Sequence, residues 1–284
     1  MTFRQRVVLI TGGSSGIGLS TARLFAAEGA HVWLVARNRE RLAEALETLH
    51  ATSLQGTGVP RLRSGQTDGP NSAQDATVDA ASAQHHGIAV ADVSDPDQAQ
   101  AAVARVSEQA GVPDIVINSH GVTHPGYFQD LDLEIFREMM EINYFGALHI
   151  IRAVVPGMIA RGSGHIVNVA SGAALVGSYG YSAYSASKHA LRGLSDVLRI
   201  ELKPHHIDVS VVYPPDTDTP QLAYEAPLKP VETREIYGGV IVSPDFVARA
   251  ILDGIRRRSY SIIPGPEMAA IAKVAGVLGD GQFS

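Results

Sequence analysis

The chain has 284 residues, 45% of them hydrophobic, with 23 Lys+Arg against 29 Asp+Glu and a formal net charge of −6. That apolar content suffices for the core of a single large α/β domain, and an acidic balance with no long basic run excludes nucleic acid as the main partner. The absence of cysteine excludes a disulfide framework, a thiolate metal site and a catalytic thiol.

Short β-branched runs alternate with amphipathic stretches from the start. VVLI (7–10) reads as a first strand, and MTFRQRVVLITGG carries too short an apolar run for a signal-peptide core, so a cytoplasmic location is expected. No stretch is expected to span a membrane. TGGSSGIG (11–18) follows, with a helical pattern from 17 to 28. Small residues let such a turn pass close to a pyrophosphate, whose charge meets free amides and the positive end of the helix dipole. Gly12, Ser14, Ser15, Gly16, Ile17 and Gly18 are therefore candidate cofactor-binding residues.

The second strand, HVWLV (31–35), ends in Ala36-Arg37-Asn38, where a dinucleotide fold meets the adenosine ribose. An acid there suits a 2′-hydroxyl and an arginine suits a 2′-phosphate, so Arg37, backed by Arg41 one helical turn on, predicts NADP(H). Helical periodicity covers 38–50, and the polar stretch 51–86 reads as a flexible insertion without chemistry. A third strand, GIAVADV (87–93), brings Asp92 and Val93 toward the adenine. A helix over 96–110, a strand at IVINS (115–119), one long helix over 132–160 and a strand at HIVNVAS (165–171) follow. Next come a helix over 183–203 and a strand at DVSVVY (208–213), with a helix near 244–258 and a short strand at SIIP (261–264) after them. This order predicts one domain built as a doubly wound parallel sheet, Rossmann-type, with helices on both faces.

Ser171 ends the fifth strand, and Tyr184 and Lys188 stand at i and i+4 of the following helix. On one helix face the ammonium lies near the phenol and favours its ionised form, which makes the pair an acid/base device. Tyr179 and Tyr181 have no lysine four residues on.

TGGSSGIG, NSHG (118–121), Asn143 in EINYFG, Ser171 and YSASK (184–188) together resemble the short-chain dehydrogenase/reductases, in unbroken order over residues 5–220. The resemblance implies hydride transfer between a nicotinamide cofactor and a carbonyl carbon. In it, Tyr184 donates a proton to the carbonyl oxygen, Ser171 holds that oxygen, Lys188 lowers the Tyr184 pKa and binds the nicotinamide ribose, and Asn143 positions a relay water. Asn118 and Gly121 join the cofactor site by the same resemblance. Ser119 and His120 depart from the NNAG common in the family, and His120 is read as local structure, not as a catalyst or ligand; no metal site is expected. Pro214, Thr217 and Thr219 in PPDTDTP occupy the segment that covers the nicotinamide in this family. That segment and the QLAYE after it resemble the version in 3-ketodihydrosphingosine reductases, as do LVARN and DVS, which implies NADPH-dependent reduction of a lipid-like amino ketone. Asp216, Asp218 or Glu225 then favour the ammonium. Residues 221–243 are expected to form a substrate lid, with Leu222, Leu228, Ile236, Val240 and Ile241 as candidate lining. The tail 265–284 and the Arg256 to Arg258 run offer peripheral membrane contact, or the tail simply closes the fold or contacts another subunit. A homo-oligomer, dimer or tetramer, is implied by the resemblance. A reductase of another ketone (a 3-oxoacyl thioester, steroid or xenobiotic carbonyl) and a non-catalytic NADP(H)-binding sensor are the competing readings.

Overall fold

A computed structural model describes residues 2–56, 86–236 and 239–279. Seven parallel strands form one sheet in the order β3-β2-β1-β4-β5-β6-β7. They are β1 (Val7–Thr11), β2 (His31–Ala36), β3 (Gly87–Val90), β4 (Ile115–Asn118), β5 (Gly164–Val169), β6 (Ile207–Val212) and β7 (Ser261–Ile262). The first six helices are α1 (Gly16–Ala27), α2 (Arg39–Gly56), α3 (Pro96–Ala110), α4 (Leu133–Met140), α5 (Gly146–Arg161) and α6 (Ser182–Glu201). After β6 come α7 (Pro220–Glu225), α8 (Val231–Ile236), α9 (Pro244–Arg256) and α10 (Pro266–Gly279).

Strand alternation divides the core into two layers. Val8, Ile10, Val32, Leu34, Ile115 and Ile117 pack with α1, α2 and α9, whereas Val7, Leu9, Trp33, Val35 and Val116 pack with α3 and α5. Because both faces are covered, the strands read as continuous apolar runs. Local chemistry starts and stops the helices. Asp95 caps α3 by accepting from the Asp97 and Gln98 amides with Pro96 at the first position, and Gly111 ends it at φ 90°.

The strand order reverses between β1 and β4, so the chain leaves these neighbours toward opposite faces and a crevice opens at their carboxyl ends. Gly12 lies in this crevice at φ 66°, and a Cβ on it would stand 2.7 Å from the His120 backbone. Only glycine allows the turns after β1 and β4 to approach this closely.

The sequence expectations need correction at several places. The insertion expected over 51–86 begins later, because α2 runs to Gly56, and its residues 57–85 lie outside those described. The single helix expected over 132–160 is two, α4 and α5, joined by a π-helical turn at Glu141–Phe145. Taken together, Leu133–Arg161 is long and apolar enough to cross a membrane by composition, contrary to the expectation that no stretch is. Here Ile150, Ile151, Val154 and Met158 are buried in the core of the fold. In the basic run, Arg256 pairs with Glu28 and Asp253 and Arg258 pairs with Asp208, so it is not a free cationic patch. The tail closes the fold at its start, where Met268 of α10 is buried against Gly172.

His165 at the start of β5 is buried and shares a hydrogen bond with Ser210 Oγ at 2.8 Å. Burial, with Arg258 adding to it, pushes its pKa down from 6.5 to about 4. The folded chain therefore holds this imidazole neutral while the unfolded chain protonates it below pH 6.5, so stability is fully present above that pH and lost as pH falls toward 4. We expect His165 to account for about 1.6 kcal/mol of lost stability between pH 6.5 and 5. Urea denaturation at both pH values would show it, with His165→Gln giving a shallower acid slope than wild type; equal slopes would refute the assignment.

Candidate active site

One cavity of about 690 Å³ occupies the crevice. Its floor is the glycine turn, where Gly12, Ser14, Ser15, Gly16, Ile17 and Gly18 all line the space. Gly16 is held at φ 51° with Thr219 against it, and a Cβ on Gly18 would lie 2.4 Å from the Gly12 carbonyl oxygen. No acidic side chain stands in the first turn of α1, and the N-cap Ser15 makes no side-chain cap bond, which leaves amides available to an anion. Arg37, Arg41, Asp92 and Val93 line the adenosine end. Arg37 stands 3.6 Å from Asp92 Oδ2 and is largely exposed. Burial raises the Asp92 pKa, but its bonds from Ser94 and the nearby Arg37 outweigh this and hold the carboxyl below its usual value.

At the other end, α6 turns an unusually polar face inward: Tyr184, Ser185, Ser187, Lys188 and Ser195 are all buried. Burial of that many polar groups is costly unless each is satisfied or reserved for a ligand. Lys188, only 4% exposed, donates to the Val169 carbonyl at 3.0 Å, and two of its donors remain for a ligand. Its Nζ lies 5.7 Å from the Tyr184 ring centroid. Ser171 accepts from the Ala173 amide at 3.1 Å and hydrogen-bonds the Tyr184 phenol. Ser171, Tyr184 and Lys188 thus meet in the cavity, with Gly121, Pro214, Thr217 and Thr219 along its wall.

The expected lowering of the Tyr184 pKa does not occur here. Burial pushes the phenol up to about 12, helped by Glu225 and Asp216, while the bonds to Ser171 and Gln221 pull it down. Lys188 is itself pushed by burial from 10.5 down to about 8. A neutral phenol at physiological pH is the proton-donating form.

Asn118 and Asn143 do not line the cavity, contrary to expectation. Asn118 Nδ2 donates to Asn168 Oδ1 at 2.8 Å, and Asn168 in turn donates to Ser195 Oγ, so this pair ties β4 and β5 to α6. Asn143, in the π-turn, accepts from the Val122 amide at 2.8 Å and donates to its carbonyl at 3.0 Å and to Ser187 Oγ at 2.9 Å. Asn143 is a positioning residue: it clamps the loop after β4 to the helix that carries Tyr184. His120, read from the sequence as local structure, lines the cavity half-buried, with Nδ1 on Thr11 Oγ1, and a Cβ on Gly146 would come within 2.8 Å of its Nε2. Burial, then Lys188, pushes it down to about 3, so it is neutral.

Thr219 caps α7 by accepting from the Leu222 amide at 3.3 Å, leaving its hydroxyl hydrogen free to donate. Thr217 donates to the Pro215 carbonyl at 2.8 Å, leaving lone pairs free to accept. Of the expected lid lining only Leu222 reaches the cavity; Leu228, Ile236, Val240 and Ile241 are exposed. Asp218 does not reach it either, and Glu225 does. Val122 is a wall residue that no motif in the sequence announced, and Gln221, the first residue of QLAYE, joins it there.

The short chain dehydrogenase pattern matches residues 6–61 and 64–227. The chain is a short-chain dehydrogenase/reductase. As a member of that family it is an oxidoreductase that uses NAD(P)(H). The glycine cradle, the unfilled donors of Lys188 and the bare N-terminus of α1 fit such a dinucleotide, which supplies the hydride. The chain is similar to a 3-ketodihydrosphingosine reductase of Dictyostelium discoideum, 39% identical over 90% of this chain and 73% of that protein. It is also similar to the Xenopus laevis protein called dehydrogenase/reductase SDR family member 7B, 34% identical over 73% of this chain and 57% of that one. Among solved structures, a levodione reductase shares 26% identity at a TM-score of 0.76, over 94% of this chain and 99% of that one.

Gly18→Ala places a methyl on the Gly12 carbonyl and forces the turn to move. We expect dinucleotide affinity to weaken at least about 10-fold in a fluorescence titration, an apparent loss near 1.4 kcal/mol. Unchanged affinity would show that the turn does not hold the pyrophosphate.

Proposed function

We propose that this reductase uses NADPH to reduce the 3-keto group of 3-ketodihydrosphingosine, a long-chain amino ketone. The observation that carries the reading is Glu225, a carboxylate only 5% exposed, in the cavity wall beside Ser171 and Tyr184. The substrate places an ammonium next to the ketone, where such a carboxylate attracts it. The named relatives support the same reading.

In this proposal Ser171 donates to the carbonyl oxygen, and Tyr184 delivers the proton to that oxygen as negative charge develops on it. Lys188 holds the nicotinamide ribose and steadies the phenolate that the transfer leaves. Asn143 keeps Val122 and Ser187 in register so that α6 presents Tyr184. Arg37 receives a ribose 2′-phosphate, since its exposed pair with Asp92 is worth little and gives way to a doubly charged partner. Thr217 and Thr219 offer an acceptor and a donor to the nicotinamide end.

A second reading, reduction of a compact ketone, is favoured by a different observation. The apolar cavity that continues past Ser171 and Tyr184 is only about 150 Å³. A long alkyl chain must therefore leave it along the surface between α7 and α10. The exposed face of α6, with Ala186, Val197 and Ile200, supports the proposal of a homo-oligomer.

Absorbance of NADPH in detergent micelles with 3-ketodihydrosphingosine tests the reading. We expect turnover that Tyr184→Phe lowers by about 10²- to 10⁴-fold. Arg37→Ala should cut the preference for NADPH over NADH by about 10-fold or more. NADPH binding without ketone reduction, alongside turnover of a compact ketone, would replace the first reading with the second.

A further inference from the structure

Two cavities meet at the reacting groups. The large one holds the glycine cradle, the smaller runs past Ala173 and Val176 to Met268 and Ile271 of α10, and both are bounded by Ser171, Tyr184, Gln221 and Glu225. Glu225 therefore stands at the junction. It is the last residue of a short helix that Thr219 and Pro220 begin directly after β6 and its Pro-Pro turn, so its position follows from the segment that walls the cavity. Lys188 lines only the large cavity, where the Val169 carbonyl holds it.

Charge within the cluster around Glu225 is unbalanced. Lys229 Nζ is 3.3 Å from Glu225 Oε1 and 3.5 Å from Asp216 Oδ2, so one ammonium is shared by two carboxylates. Both carboxylates act to raise the Tyr184 pKa, and burial raises that of Glu225 itself. For a neutral ketone this arrangement works against catalysis, because Glu225 and Asp216 oppose the phenolate that Lys188, on the other side of the ring, steadies. Glu225 is held further by a hydrogen bond from Tyr181, with Thr123 beside it, while it borders the reacting hydroxyls. A cation arriving with the substrate removes the penalty: it completes the charge balance and eases proton release from Tyr184 at the moment the ketone is seated.

We propose that Glu225, with Asp216 sharing Lys229 behind it, makes this reductase selective for ketones that carry an ammonium on the carbon next to the carbonyl. The inference rests on the amino-ketone reading above and gives it a residue. It also assigns the substrate a part in activating the enzyme's own acid.

The test compares kcat/KM for short, water-soluble 2-amino-3-ketones with that for the des-amino ketones of equal length, at pH 6.5 with NADPH. We expect a preference for the amine of at least about 10-fold in wild type, falling about 10-fold or more in Glu225→Gln and retained in Glu225→Asp. The ratio cancels losses that a mere packing defect inflicts on both ketones alike. A wild-type ratio near one, or equal losses on both substrates in Glu225→Gln, would overturn the proposal. Turnover of neither ketone by wild type would overturn it as well. Preference for the short amine without turnover of the long-chain one would sink only the 3-ketodihydrosphingosine reading and leave the role of Glu225 standing.

Discussion

The structure depends on one constraint, the near-contact of two backbone turns where the sheet reverses direction. Gly12 and the His120 backbone are so close that no Cβ fits between them. Once that approach is fixed, the α1 amides and the loop after β4 face the same crevice, and everything on the far wall is placed relative to them. Asn143 continues the chain of consequences, because its amide holds Val122 by both backbone groups and reaches Ser187 on α6. The glycine floor and the tyrosine wall are thus linked through a side chain that does not enter the cavity.

That wall is electrostatically demanding. A lysine, a phenol and a glutamate are all buried within one cleft, and desolvation moves each toward its neutral form. Such a cluster spends folding stability on preorganisation, and the deep apolar layers on both faces of the sheet offset it. The neutral histidines, His120 and His165, belong to the same pattern.

Much of the fold could be read from the chain because a sheet buried on both sides writes itself as β-branched runs, as at Val7 to Ile10 and Ile207 to Val212. The Tyr184 and Lys188 spacing was legible for an equally simple reason: four residues on a helix are one face. Directions were not legible. Asn118 and Asn143 stand where the cofactor and relay residues were expected, yet whether an amide faces a ligand or braces a wall depends on partners far away in sequence, here Asn168, Val122 and Ser187. The lid misled for another reason. Helices of six residues, α7 and α8, are too short for apolar periodicity to mark an inward face, so Leu222 and Ile236 look alike in sequence and differ in space.

The π-turn at Glu141–Phe145 does more than aim Asn143. A π-turn is an α-helix carrying one extra residue, and that residue rotates everything downstream by about 100° around the axis. Helix α4 and helix α5 therefore show different sides of a nearly continuous rod to their neighbours, α4 to α6 and α5 to α3. Deleting any single residue here would leave a longer, more regular helix and put Ile150, Val154 and Met158 out of phase with the layer they fill. Chain length across this stretch is thus fixed by the packing of both helices, since a residue gained or lost between them would turn one half of the rod against the other.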